Sequence, residues 1–314
     1  LLGSDNGGTV TPTDGSVTTG KIVDDAVTAA KVASSGAFAI GAAGTASSLA
    51  GIPFYNGDTT SIYTHDVSGT DDTASNNTAY GIAALDAVTQ ADNAVCIGYN
   101  AGTAMTTGGN NTIIGSQAGE SLTSGGSNMF IGRQAGDGQD TENHNVGIGR
   151  NALGGAINGG EYNVAVGNDA LDALTSADFN VAVGYQAGTA VTTGAGNVFI
   201  GYNAGEDWTE GGDSVLIGYR AGANITTGNN IIFIGKNSGD GHDTEGENIG
   251  IGMGALGGAI AGGENNTAIG NNSLDALTTG DYNVAIGHDA STNATTSVNT
   301  VGIGRLALRD MTTG

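Results

Sequence analysis

Cysteine is almost missing from this sequence. Cys96 is the only one, so no intrachain disulfide is available, which fits assembly inside a cell. It sits in the apolar run Val95-Cys96-Ile97, where a lone thiol reads as a small buried hydrophobe. Positive charge is equally sparse. Eight basic residues against 31 acidic ones leave a net charge of −23, which argues against nucleic acid and anionic membranes as partners. No apolar run is long enough to span a bilayer, so membrane insertion is not expected. A signal-peptide pattern is also missing, and the chain runs from Leu1 to Gly314 with its last residues partway into a further repeat. It reads as a segment of something longer. Two prolines beside 58 glycines and a strict long period argue against collagen and simple disorder, and 5% aromatics is low for a globular enzyme.

What the chain has is a repeat. A glycine recurs at positions 81, 98, 115, 132, 149, 167, 184, 201, 218, 235, 252, 270, 287 and 304, fourteen copies at a spacing of 17 with two steps of 18. Asn180-Val-Ala-Val-Gly-Tyr-Gln-Ala-Gly188 is a representative copy. A fixed period of this size predicts a stack of rungs that each contact only their neighbours.

Counted from the repeat glycine, position −1 is Ile or Val in every copy but the first, which has Tyr80. Position −3 is branched or otherwise β-favouring, so a three-residue strand is expected to end at each glycine. Successive strand residues face opposite sides, and here both sides are apolar. One side fills the coil's interior. The other needs a cover, and no helical segment in the chain is long enough to supply it, so a second copy of the chain is the expected cover. Position −4 is Asn in ten copies, a pattern suited to a stacked amide ladder. Position +3 is Ala or Ser throughout, which points to a tight inner corner. Position +7 is mostly apolar and +8 is Thr in ten copies, which predicts a second short strand and a turn. The expected fold is an all-β parallel β-roll or solenoid of about 14 rungs.

Three segments follow. Residues 1–35 form a linker of decads: DGSVTTGKI from Asp14 is followed ten residues on by DDAVTAAKV from Asp24. Residues 36–76 concentrate Phe38, Phe54, Tyr55 and Tyr63 and read as a cap or adaptor for the open end of the array. Residues 77–314 are the shaft. Within it, the block starting at Gly132 returns 103 residues later at Gly235, six rungs on, and both 18-residue steps fall at the same place in that block.

The decads resemble the linkers that precede the distal parts of bacteriophage tail fibres. The pattern N-x-[VI]-[AF]-[IV]-G-x-x-A over residues 77–314 resembles the head repeats of YadA-type trimeric autotransporter adhesins, although those repeats are usually shorter. The resemblance implies a left-handed homotrimeric fibre. It also implies a place in the virion with other tail proteins as partners, and a role in attachment to a host-surface receptor such as a glycan. A surface adhesin of the autotransporter type, on the bacterial cell, is the alternative. An ice-binding solenoid is a third reading, although adjacent Thr-Thr pairs put their side chains on opposite faces.

For chemistry, GDGQDTE and GDGHDTE stand out. Asp137, Asp140 and Glu142, and again Asp240, Asp243 and Glu245, offer hard oxygen ligands at loop spacing and are the calcium candidates, against a solvated acidic turn. His65, His144, His242 and His288 are isolated in sequence, and a metal on the axis of a trimer competes with plain surface polarity. Trp208 falls in the apolar +7 column and is expected in the core rather than as a sugar platform. No nucleophile–base set or paired carboxylates suggest an enzyme, and glycine-rich strings lack the βαβ context of a dinucleotide site.

Overall fold

A computed structural model of the chain describes residues 47–49, 52–54, 62–63, 73–241, 243–259 and 261–313. The decad linker 1–35, most of segment 36–76, His65 and His242 lie outside these residues. The chain divides into the units Leu1–Gly44 and Thr45–Gly314, and every described residue belongs to the second.

Strands β1 (Ser47–Leu49) and β2 (Ile52–Phe54) pair antiparallel as a separate two-stranded sheet. The main sheet begins at β3 (Ile62–Tyr63). It continues through β4 (Thr78–Tyr80), β5 (Val95–Ile97), β6 (Thr112–Ile114), β7 (Met129–Ile131) and β8 (Val146–Ile148). Then come β9 (Val164–Val166), β10 (Val181–Val183), β11 (Val198–Ile200), β12 (Val215–Ile217) and β13 (Ile232–Ile234). The last are β14 (Ile249–Ile251), β15 (Thr267–Ile269), β16 (Val284–Ile286) and β17 (Val301–Ile303). All fifteen are parallel and hydrogen-bonded in chain order, with equivalent residues in register, as in Val181↔Val198. The fold is an all-β solenoid with one turn per repeat. No helix among the described residues is long and apolar enough to cross a membrane.

Each strand stops at the repeat glycine for a steric reason. Gly149 has φ +137°, and an added Cβ would lie 2.6 Å from the Gly167 carbonyl carbon of the next rung. Only a residue without Cβ takes that conformation at that distance. Two further columns, +2 and +4, follow with left-handed φ, as in Asn151 (54°) and Leu153 (55°).

The expected second strand is not there; each rung has one strand, and the +7/+8 region is turn. The reason is local. The +7 amide donates back to the +4 carbonyl, as in Met105 to Gly102 (3.1 Å) and Leu122 to Gly119 (3.2 Å). That bond curls the chain out of the extended state. Rung-to-rung bonds survive beside it, from Thr106 N (2.8 Å) and Thr107 N (3.2 Å) to Thr123 O and at equivalent positions. The Thr hydroxyls follow the same line, as in Thr192 Oγ1 to Thr209 O (3.1 Å).

The interior is a stack of columns. The middle strand residue points in and is buried, including Cys96, Ile113, Phe130, Phe199 and Phe233. Small +3 residues, among them Ala101, Ala152 and Ala221, are also fully buried. The +4 residue balances the strand residue six positions before it. Phe130 is followed by Gly136, Phe199 by Gly205 and Phe233 by Gly239, whereas Gly147, Ala165 and Gly250 are followed by Leu153, Leu171 and Leu256. A Cβ on Gly136 would lie 2.5 Å from the Phe130 ring. In most rungs a large side chain enters the same space either from the strand or from the left-handed +4 position, which keeps the interior dense; the pairs Ala182–Gly188 and Ala285–Ser291 are exceptions. Trp208 joins this core edge-to-face with Phe199 at 5.7 Å, and its indole N–H donates to Gly211 O at 2.7 Å. That is the core placement expected for Trp208.

The Asn column is a cross-brace more than an amide ladder. Asn111 Oδ1 accepts from the backbone amide of Asn128 (2.8 Å), and Asn111 Nδ2 donates across the coil to Gly125 O (2.9 Å). Asn180 repeats both bonds, to Asn197 N (3.0 Å) and Gly194 O (2.9 Å). Direct amide–amide contacts occur in only a few steps, such as Asn283 Nδ2 to Asn266 Oδ1 (3.0 Å). A buried amide must satisfy both its donors and its acceptor, and backbone groups of the adjacent rung are the nearest partners.

Candidate functional site

The two acidic turns sit beside the two 18-residue rungs. Glu142 is buried, and its Oε2 accepts the amides of Asp140 (2.8 Å) and Thr141 (3.0 Å). Its Oε1 accepts the amide of Gly159, in the 18-residue rung above, at 3.0 Å. Glu245 makes the same three bonds, to Asp243 (3.0 Å), Thr244 (3.2 Å) and Gly262 (2.7 Å). Burial pushes the Glu245 carboxyl up, but the backbone amides around it outweigh that and hold it below the usual glutamate range.

The other candidate ligands point elsewhere. Asp140 Oδ1 accepts the Thr123 hydroxyl, and Asp243 Oδ1 the Thr226 hydroxyl at 3.1 Å. Asp137 accepts from Gln134 (3.3 Å), and Asp240 pairs with Arg220 (3.4 Å). Each candidate set is thus dispersed over separate partners. Among the described residues, no group of three or more His, Cys, Asp or Glu converges to hold a metal ion. His144 stacks on Tyr162 at 4.9 Å, and His288 faces Asp289 at 2.9 Å.

Gly154 separates two carboxylates: a Cβ there would lie 2.8 Å from Asp172 Oδ1 and 3.3 Å from Asp137 Oδ1. Burial raises the Asp137, Asp172 and Asp275 carboxyls, with help at Asp172 from Asp169 and Asp137 and at Asp275 from Asp289.

The larger feature is the outward face of the sheet. The −3 and −1 residues point out and are only partly covered by the chain itself. Ile97, Val183, Ile200, Ile269 and Ile286 are 36–38% exposed, so roughly a third of each contacts solvent. The −1 column is Ile or Val without interruption from Ile97 to Ile303. Position +1 extends this face. Tyr185, Tyr202 and Tyr219 stack there at 5.3 Å spacings, and Lys236 Nζ lies 5.7 Å from the Tyr219 ring centroid. A second stack, His144–Tyr162–Phe179, runs along position −5 at 4.9 and 5.4 Å.

The two margins of this face differ in charge. Position +1 holds Arg133, Arg150, Lys236 and Arg305 and no Asp or Glu. Positions −6 and −5 hold Asp92, Glu161, Asp178, Asp213, Glu247, Glu264 and Asp281 and no Lys or Arg. The −3 and −1 columns carry no charge. Sequence reading identified the apolar columns but not these margins, whose signal was the segregation of charge by repeat position.

The fold defines a parallel β-solenoid repeat protein. Comparison with protein-family models, with curated proteins and with solved structures finds no match for this chain.

Proposed function

We propose that this chain forms the shaft of a homotrimeric fibre, a structural component of a bacteriophage tail that serves attachment to a host-surface receptor. The observation that carries the reading is the uncovered apolar face of the sheet. The apolar strand columns, three residues across and fifteen strands long, measure about 10 Å by about 65 Å, and the margins at −5 and +1 widen the face to about 20 Å. The apolar strip is on the order of 650 Å² and the whole face, margins included, on the order of 1,300 Å², against ~800 Å² per partner in a stable interface. Monomeric proteins rarely leave so long an apolar surface open. A column that repeats every 17 residues is matched best by another copy of itself. The placement in a phage tail, with tail proteins as partners, rests on the decad linkers and the repeat pattern.

A trimeric adhesin on a bacterial surface shares the same shaft and is the alternative. The ice-binding reading loses support because the Thr column hydroxyls already donate to carbonyls one rung on, as in Thr278 to Thr295 O (2.8 Å). Light scattering coupled to size exclusion tests the proposal. Three chain masses are expected at micromolar concentration, with rods in electron micrographs. A stable monomer overturns it.

A further inference from the structure

The two margins of the sheet face are of opposite charge, and this bears on how copies meet. We propose that the copies associate head-to-side around the fibre axis. The basic, phenolic margin after the strands of one copy would lie against the acidic margin before the strands of the next. The inference rests on the self-association put forward above and names the seam that would hold it together.

The chain carries −23 overall, so two copies repel unless the contact avoids like charge. The +1 margin is where it does. Arg133, Lys236 and Arg305 are exposed there, and no carboxylate shares the column. Asp213, Glu247 and Glu264 are exposed on the opposite margin and make no ion pair among the described residues. A contact between unlike margins is heterologous, and three such contacts close a ring in which each margin is used once. A two-fold contact made through one margin alone would instead bring that margin against its own kind.

The tyrosine stack fits the same seam. Most of its ring faces are spent on one another and, at Tyr219, on Lys236, the outer face of Tyr185 being the exception. Its edges and hydroxyls are what remain for a neighbour. Ring edges carry partial positive charge, and phenol hydroxyls donate well to carboxylates. An acidic margin suits them, whereas a sugar ring would need an open aromatic face.

The test uses charge reversal on the whole chain. One variant carries R133E/K236E/R305E, the second D213K/E247K/E264K, and the third combines all six. Circular dichroism checks that each keeps the solenoid. Either single-margin variant is expected to shift the trimer to monomer by at least tenfold in dissociation midpoint, and the combined variant to recover association. The wild-type trimer is also expected to dissociate more readily as salt rises from 0.05 to 0.5 M. If the wild type is monomeric, the fibre reading fails and this seam with it. If it is trimeric but indifferent to salt and to both single-margin variants, the seam alone is overturned.

Discussion

Glu142 Oε1 accepts a hydrogen bond from the amide of Gly159, 3.0 Å away and one rung on. Glu245 does the same for Gly262 at 2.7 Å. Each 18-residue rung carries one extra residue; the amides of Asn158 and Ala261 donate to Thr175 O and Thr278 O of the rung after, and the next amide, of Gly159 or Gly262, takes a different acceptor. The carboxylate from the rung before provides it. The acidic turn and the longer rung are therefore one unit, which explains why they recur together 103 residues apart.

Glu142→Ala is expected to destabilise the solenoid by about 1–3 kcal/mol, because it removes the charged acceptor of three part-buried hydrogen bonds, from the amides of Asp140, Thr141 and Gly159. Urea unfolding at pH 7 measures this. An unchanged midpoint would remove Glu142 from the account.

Stability should depend on pH through two opposed groups. The Glu245 carboxyl is held low in the fold, so its contribution is complete above the ordinary glutamate pKa and is lost as pH falls through the folded value. Glu245→Gln is expected to flatten the acid limb of a stability–pH curve. Asp172 is raised by burial and by Asp169 and Asp137, so its ionised form is a liability at neutral pH that is relieved as pH falls through its folded value. Asp172→Asn should raise the unfolding midpoint at pH 7, with the gain shrinking in acid.

Phe130 and Gly136 share one volume. Phe130→Ala should cost about 3–5 kcal/mol as a cavity opens. Gly136→Leu alone should also destabilise, since its Cβ would lie 2.5 Å from the Phe130 ring. Together the two reproduce the pairing of Ala165 with Leu171, and the double variant is expected to be more stable than either single one. A double-mutant cycle by denaturant unfolding checks the sign of the coupling.

Calcium should leave the protein unmoved. Glu142 and Glu245 already accept three backbone amides each, and the aspartates around them face other partners. The expected result is a Tm indifferent to chelator and to millimolar calcium. A rise of several degrees with calcium would show that the turns bind it.

Cys96 is fully buried in the strand column, and burial pushes its thiol up to about 12. A thiol of that kind is not a thiolate at pH 8. It should stay silent toward a disulfide reagent in the folded protein and react at once in denaturant. Fast labelling of the native protein would mean that the first rungs open.

The sequence alone determined the period, and with it the parallel stack. A 17-residue register admits one pairing for every strand, and alternation settled that both strand faces are apolar. It also placed Trp208 in the core. It pointed to a second strand at +7/+8 that does not form, because propensity cannot show that the Met105 amide turns back to Gly102. The Asn column was legible as a column, but its bonds were not. Whether an amide meets its own kind or the backbone across the coil depends on how the two arms of a rung approach each other.

Tertiary structure decided the rest. It chose which apolar face points inward and showed that Phe130 and Gly136 fill one space. It also tied Glu142 to a longer rung 17 residues away. These are relations between positions that only a closed coil brings within a few ångströms. A repeat fixes where each residue recurs along the axis, but contact across a rung is settled by how the backbone turns.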